Sequence, residues 1–90
     1  MADVTDPLER AKSTQVQFLR VEVDTALAFL RRAQTTNDPA VRERNRRNAR
    51  LAYDTIYDFL AKAPELSAQE QVSGGLMRLK SELIELGEEF

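Results

Sequence analysis

Ninety residues, 42% hydrophobic and 31% charged with a net charge of −2, describe one folded domain with a single core and solvated outer faces. Cysteine is absent, which excludes disulfides and thiolate metal sites, and so is histidine, which removes the commonest general base, the histidine triads and imidazole ligation. Carboxylates, Lys62 or a tyrosine could still act; solvated helix faces carry such groups without chemistry, so a non-enzyme with no cofactor and no metal is expected.

The opening residues MADVTDPLER show no charged segment leading into an apolar run. The longest uninterrupted apolar stretch, Ala26 to Leu30, falls far short of the roughly 20 residues a bilayer requires. A cytoplasmic protein without membrane contact is the expectation, with residues 1–5 disordered ahead of one domain.

Asp6-Pro7-Leu8-Glu9 announces the first helix: Asp6 can cap, Pro7 suits the first helical position, and Glu9 stands where a capping-box acid reaches back. Leu8, Leu19, Val23, Ala26, Leu30 and Ala33 then fall on one side at helical spacing, with Val16, Phe18, Leu27 and Phe29 widening the arc. Asp38-Pro39 repeats the device, so a second helix begins within a few residues of the first and packs antiparallel to it. Its apolar face comprises Val41, Asn45, Ala49, Ala52, Ile56, Phe59, Leu60 and Ala63, and Pro64 disfavours helical geometry at Ala63.

Ser67-Ala68-Gln69-Glu70 has capping-box spacing, and Val72, Leu76, Leu79, Leu83, Leu86 and Phe90 follow at alternating fours and threes. Gly74-Gly75 lies inside this third helix, at about 1 kcal/mol per glycine relative to alanine. The unbroken spacing favours a continuous helix in which a side chain such as Tyr57 covers the bare backbone. The alternative is a turn over 67–73 before a second helical piece. No Gly-Lys-Ser/Thr follows and no strand precedes, which argues against a phosphate loop. The fold expected is all-α: an antiparallel up-down-up three-helix bundle with helices over about 7–35, 38–63 and 67–87.

Five arginines stand in ten positions at 41–50. In the expected topology helix three finishes beside the start of helix two, so these cations meet Glu85, Glu88 and Glu89, and each cluster relieves the other's conflict with its own helix dipole. With the second turn centred near Glu65, residue numbers summing to about 130 lie level. That places Arg42 near Glu88, Arg46 near Ile84 and Glu85, and Arg50 near Lys80 and Glu82. Glu43/Arg47, Arg50/Asp54 and Asp58/Lys62 are further i,i+4 pairs, and the arginines scatter over about 200° of helix circumference. A solvated, internally paired face is the expected reading. The competing one is a ridge of Arg46, Arg50, Tyr53 and Tyr57, at i, i+4, i+7 and i+11, suited to weak single-stranded nucleic-acid binding.

Glu22, Asn45 and Asn48 are candidate buried polar groups: Glu22 and Asn45 interrupt apolar arcs, and Asn48 is nearest to level with Glu22, so a register-fixing hydrogen bond is expected, with a small polar cavity as the alternative. Val21 with Ala28, and Met77 with Ile84, form stripes seven apart off the core faces and are candidate dimer surfaces. The leading expectation is a non-enzymatic helical interaction or scaffold module whose partner is a protein or a second copy of itself.

The run RNRRNARLAYDTIYDFL, with LSAQE after the break, resembles a pattern recurring in small uncharacterised helical bacterial proteins; that resemblance implies a bacterial origin and no activity. Ala52, Ile56, Leu60 and Pro64 are similar to the second helix of a tetratricopeptide repeat, which implies a TPR-like interaction shape. The first two helices are too long for that repeat, its tryptophan and Leu-Gly-x-x-Tyr positions are not met, and no period of about 34 residues returns, so a solenoid is not expected.

Overall fold

The computed structural model describes residues 7–90, without the side chains of Leu8 and Glu9. The expected cap at Asp6, its partner Glu9, the core role of Leu8 and disorder over 1–5 lie outside the described residues. Three α-helices, α1 (Pro7–Thr35), α2 (Pro39–Lys62) and α3 (Glu70–Glu85), pack on one another as an all-α three-helix bundle. No described helix is long and apolar enough to cross a membrane.

The α1–α2 reversal is built as its sequence demands. The Asp38 carboxylate accepts from the Ala40 amide at 2.9 Å, Pro39 is the first helical residue, and the Thr36 hydroxyl accepts from the Asp38 amide at 3.1 Å. Arg42 closes the turn by donating Nη2 to the Thr36 carbonyl at 3.0 Å. At the other end of α2, Ala63 has left helical geometry (φ −137°, ψ 67°), as a residue preceding proline must.

The α2–α3 connection differs from expectation. Pro64–Ala68 winds into a short 3₁₀ helix whose Leu66 is buried under the bundle end, and α3 starts at Glu70. Ser67 does not cap it: its hydroxyl donates to the Pro64 carbonyl at 2.7 Å, inside the 3₁₀ turn. The proline-initiated turn takes up that hydroxyl locally, so the capping box is not formed.

Leu19, Leu30, Ile56, Leu79 and Leu83 are fully inaccessible, and each such side chain stabilises the fold by about 1.5–3 kcal/mol. Tyr53, a member of the expected ridge, joins this core, while Phe90 leaves the expected seam and lies half-exposed over α2.

α3 runs unbroken through Gly74-Gly75. The neighbour that needs the bare backbone is Val23 of α1, not Tyr57: a Cβ on Gly75 would stand 2.6 Å from Val23 Cγ1, and one on Gly74 would meet nothing within 4 Å. Gly75 lets α3 settle onto α1; Gly74 carries only the entropic penalty of glycine in a helix.

Opposite signs are therefore expected for the two alanine substitutions. Gly75→Ala should destabilise by about 1–3 kcal/mol through overpacking, and Gly74→Ala should stabilise by about 0.4–1 kcal/mol. Urea unfolding midpoints check both, and the Gly75→Ala loss should shrink in a Val23→Ala background.

Candidate interaction site

The arginine run and the end of α3 meet, in a register shifted from the expected one. α3 stops at Glu85 and the chain reverses at Gly87, whose φ of +101° is open to glycine and costly for other residues. The Gly87 amide donates to the Ile84 carbonyl at 2.9 Å and the Glu88 amide to the Leu83 carbonyl at 3.0 Å, the paired bonds of a Schellman cap. Residues 88–90 consequently turn across α2 instead of continuing upward.

That turn delivers Glu88 between Arg46 and Arg50. Its carboxylate pairs with Arg46 and accepts from Arg50 Nη1 at 2.9 Å; the same nitrogen reaches the Glu89 carbonyl at 2.7 Å. Arg46 also pairs with Glu43, and Arg50 with Asp54 at 3.1 Å. Arg42 serves the Thr36 carbonyl and not Glu88, and the level partners expected for Arg46 and Arg50 on α3 are replaced by this one carboxylate. The displacement of one to two helical turns follows from the 3₁₀ segment, which delays α3, and from the reversal at Gly87. Glu43 pairs with Arg46 at i,i+3 and not with Arg47, because the Arg46 guanidinium is already held near it by Glu88.

Phe90 packs on the same ridge. Its ring lies 3.9 Å below the Arg50 guanidinium carbon and 5.4 Å from Lys80 Nζ, and meets Tyr53 edge-on at 5.0 Å. Tyr53 stacks on Tyr57 at 6.1 Å, and burial pushes the Tyr53 phenol above its usual range. Of the four ridge residues, Arg46, Arg50 and Tyr53 are engaged by residues 88–90; Tyr57 is 57% exposed. The glycine three positions before Phe90 signals in the sequence that helical spacing ceases there, but not where the ring then packs.

Beside this slot lies an apolar hollow of about 330 Å³ between α2 and α3, lined by Tyr57, Leu60, Ala61, Leu76 and Met77 among others. Met77 is 73% exposed and Ile84, two turns further along α3, is half-exposed. Val21 and Ala28 are also exposed but line other hollows: Val21 beside Phe18, and Ala28 beside Phe29 and Asn45. The two candidate stripes thus do not form one surface.

Asn45 is buried, and its amide donates to the Val41 carbonyl at 2.8 Å within its own helix. Glu22 and Asn48 are half-buried, and among the described residues no hydrogen bond joins them, so the expected interhelical bond is not formed. The polar tie between helices is elsewhere: Gln34 Nε2 of α1 donates to Glu82 of α3 at 2.9 Å, and Arg78 pairs with the same carboxylate at 2.8 Å. Arg78, then Gln34, hold the Glu82 carboxyl below the usual glutamate range.

Comparison with known protein families, with curated proteins and with solved structures gives no match to this chain.

Glu88→Gln is expected to lower stability by about 1–2 kcal/mol at low salt and by less at high salt, since the pairs are only partly shielded from solvent. Glu85→Gln and Glu89→Gln should each stay within about 0.5 kcal/mol, as Glu89 contributes its backbone carbonyl and not its carboxylate. Denaturant titration of the three single variants at two ionic strengths separates these outcomes.

Glu82 has its own pH signature. A carboxyl held low in the folded chain contributes stability above its ordinary pKa, and that contribution is lost as pH falls through the folded value. Thermal melts across the acid range should show a shallower loss for Glu82→Gln than for the wild-type chain.

Proposed function

We propose that this chain is a non-enzymatic helical protein-interaction module of the cytoplasm, with its contact face along the α2–α3 side around Tyr57, Met77 and Ile84. The observation that carries this reading is the exposure of Tyr57 and Met77 at an apolar hollow, with exposed Ile84 two turns further along α3, on so small a bundle. A helix or short segment laid along that face would bury Met77 and Tyr57 together, and aromatic and methionine side chains are the types enriched at contact cores.

Protein recognition is favoured over single-stranded nucleic acid by burial and by charge. Tyr53 is buried and not free to stack on a base, and the chain as a whole carries a net charge of −2 where a nucleic-acid grip calls for a basic surface. A second copy of the chain is the other protein partner this face could take, through the Met77 and Ile84 stripe.

Affinity capture from the native cell with the wild-type chain and with Met77→Asp/Ile84→Asp tests the reading, with circular dichroism confirming that both are folded. A partner, or a dimeric mass in solution, that is lost in the double variant is the expected result. No retained protein and a strictly monomeric mass for the wild-type chain would overturn it.

A further inference from the structure

Residues 88–90 occupy a slot that has the features of a peptide-recognition site. Two guanidinium groups converge on one carboxylate, and two positions further along the chain a phenyl ring is held between the Arg50 guanidinium, the Lys80 ammonium and the edge of Tyr53. The Glu88 side chain is only 14% exposed, so its charge is largely taken from water and matched by protein donors. The segment joins α3 through the Gly87 reversal, and Phe90 remains 47% exposed. Short pieces fastened by so few buried groups open locally at far lower free energy than the bundle unfolds.

We infer that the slot formed by Arg46, Arg50, Tyr53 and Lys80 binds a segment of a partner protein bearing a carboxylate and, two residues later, an aromatic ring, and that residues 88–90 are its competitor within the chain. This deepens the interaction-module reading and rests on it. The occupant chemistry is displayed by the chain's own Glu88 and Phe90. That it comes from a partner follows from what those residues leave uncovered: the ridge continues from Phe90 to the exposed Tyr57 and on to Met77. A longer acidic–aromatic segment with an apolar residue beyond would fill both the slot and this extension. Exchange of the same segment with a second copy would gain no contact in the slot and would lose the freedom of an independent molecule. Tethered three residues from its hinge, the internal segment acts at high effective concentration, so weak partners are excluded and extended ones admitted.

The test uses a fluorescently labelled peptide, Leu-Gly-Glu-Glu-Phe, capped at both ends, titrated by anisotropy against the full chain. Glu88→Ala/Phe90→Ala empties the slot and should bind at least tenfold more tightly than the wild-type chain, with affinity falling as salt rises. Adding Arg50→Gln to the emptied chain, or replacing the peptide's first glutamate by glutamine and its phenylalanine by alanine, should cost at least tenfold; the peptide changes carry no risk to the fold. Equal affinity for wild-type and emptied chains, affinity indifferent to the peptide changes, or no binding to the emptied chain at millimolar concentration would overturn the slot. So would an emptied chain that dimerises through the slot and excludes the peptide, which would make the occupant a second copy. A lost slot together with a partner captured through Met77 and Ile84 refutes this inference alone and leaves the interaction module standing; a failed capture with an intact slot does the reverse.

Discussion

The close approach of α3 to α1 at Gly75 is the constraint on which the remaining geometry turns. A valine methyl group occupies the space a side chain would need there, so α3 is fixed along α1 to within a fraction of a helical turn. Once that height is set, Glu82 arrives opposite Gln34, Leu79 and Leu83 enter the core, and the chain reaches Gly87 beside the middle of the arginine run. An alanine at Gly75 would push α3 outward and would disturb the Gln34–Glu82 tie and the Glu88 pairs together.

The arginine run is divided among several tasks. Arg42 staples the first turn, while Arg46 and Arg50 receive Glu88 and are braced from behind by Glu43 and Asp54. Cations gathered near the start of a helix oppose its dipole, and the carboxylates placed among them reduce that cost. The same bracing holds the two guanidinium groups in fixed orientation on the ridge. In a chain of net charge −2 the ridge thereby sets Arg46, Arg50 and Lys80 among Glu43, Asp54 and Glu88, walled by aromatic rings and next to an apolar hollow.

Position along the chain separates the polar groups that tie helices together from those that only satisfy themselves. Asn45, central on its apolar arc, bonds back to Val41, whose carbonyl one turn earlier lies within reach of its amide. Glu82, at the rim of the α1–α3 contact, can reach Gln34 and Arg78 while keeping one side toward water. Rim positions allow two partners with little desolvation, and for this reason the interhelical polar contact is found there.

Local order was legible in the residues. Three apolar faces with helical spacing, two Asp/Pro or Pro boundaries and a continuous third pattern specify three helices, their antiparallel order and most of the core, since each depends only on neighbours within a few positions. Tertiary structure alone decided how far each helix slides along the next. The 3₁₀ turn at Pro64–Ala68, the Val23 contact at Gly75 and the reversal at Gly87 each move the register by part of a turn or more, and spacing is blind to such offsets because a shift by one turn preserves every face. The candidate site depended on those offsets. Arg46, Arg50, Tyr53 and Tyr57 were readable as a ridge, but Glu88 and Phe90 as its occupants were not, because a left-handed glycine redirects the chain and ends the periodicity that would have carried Phe90 into the core.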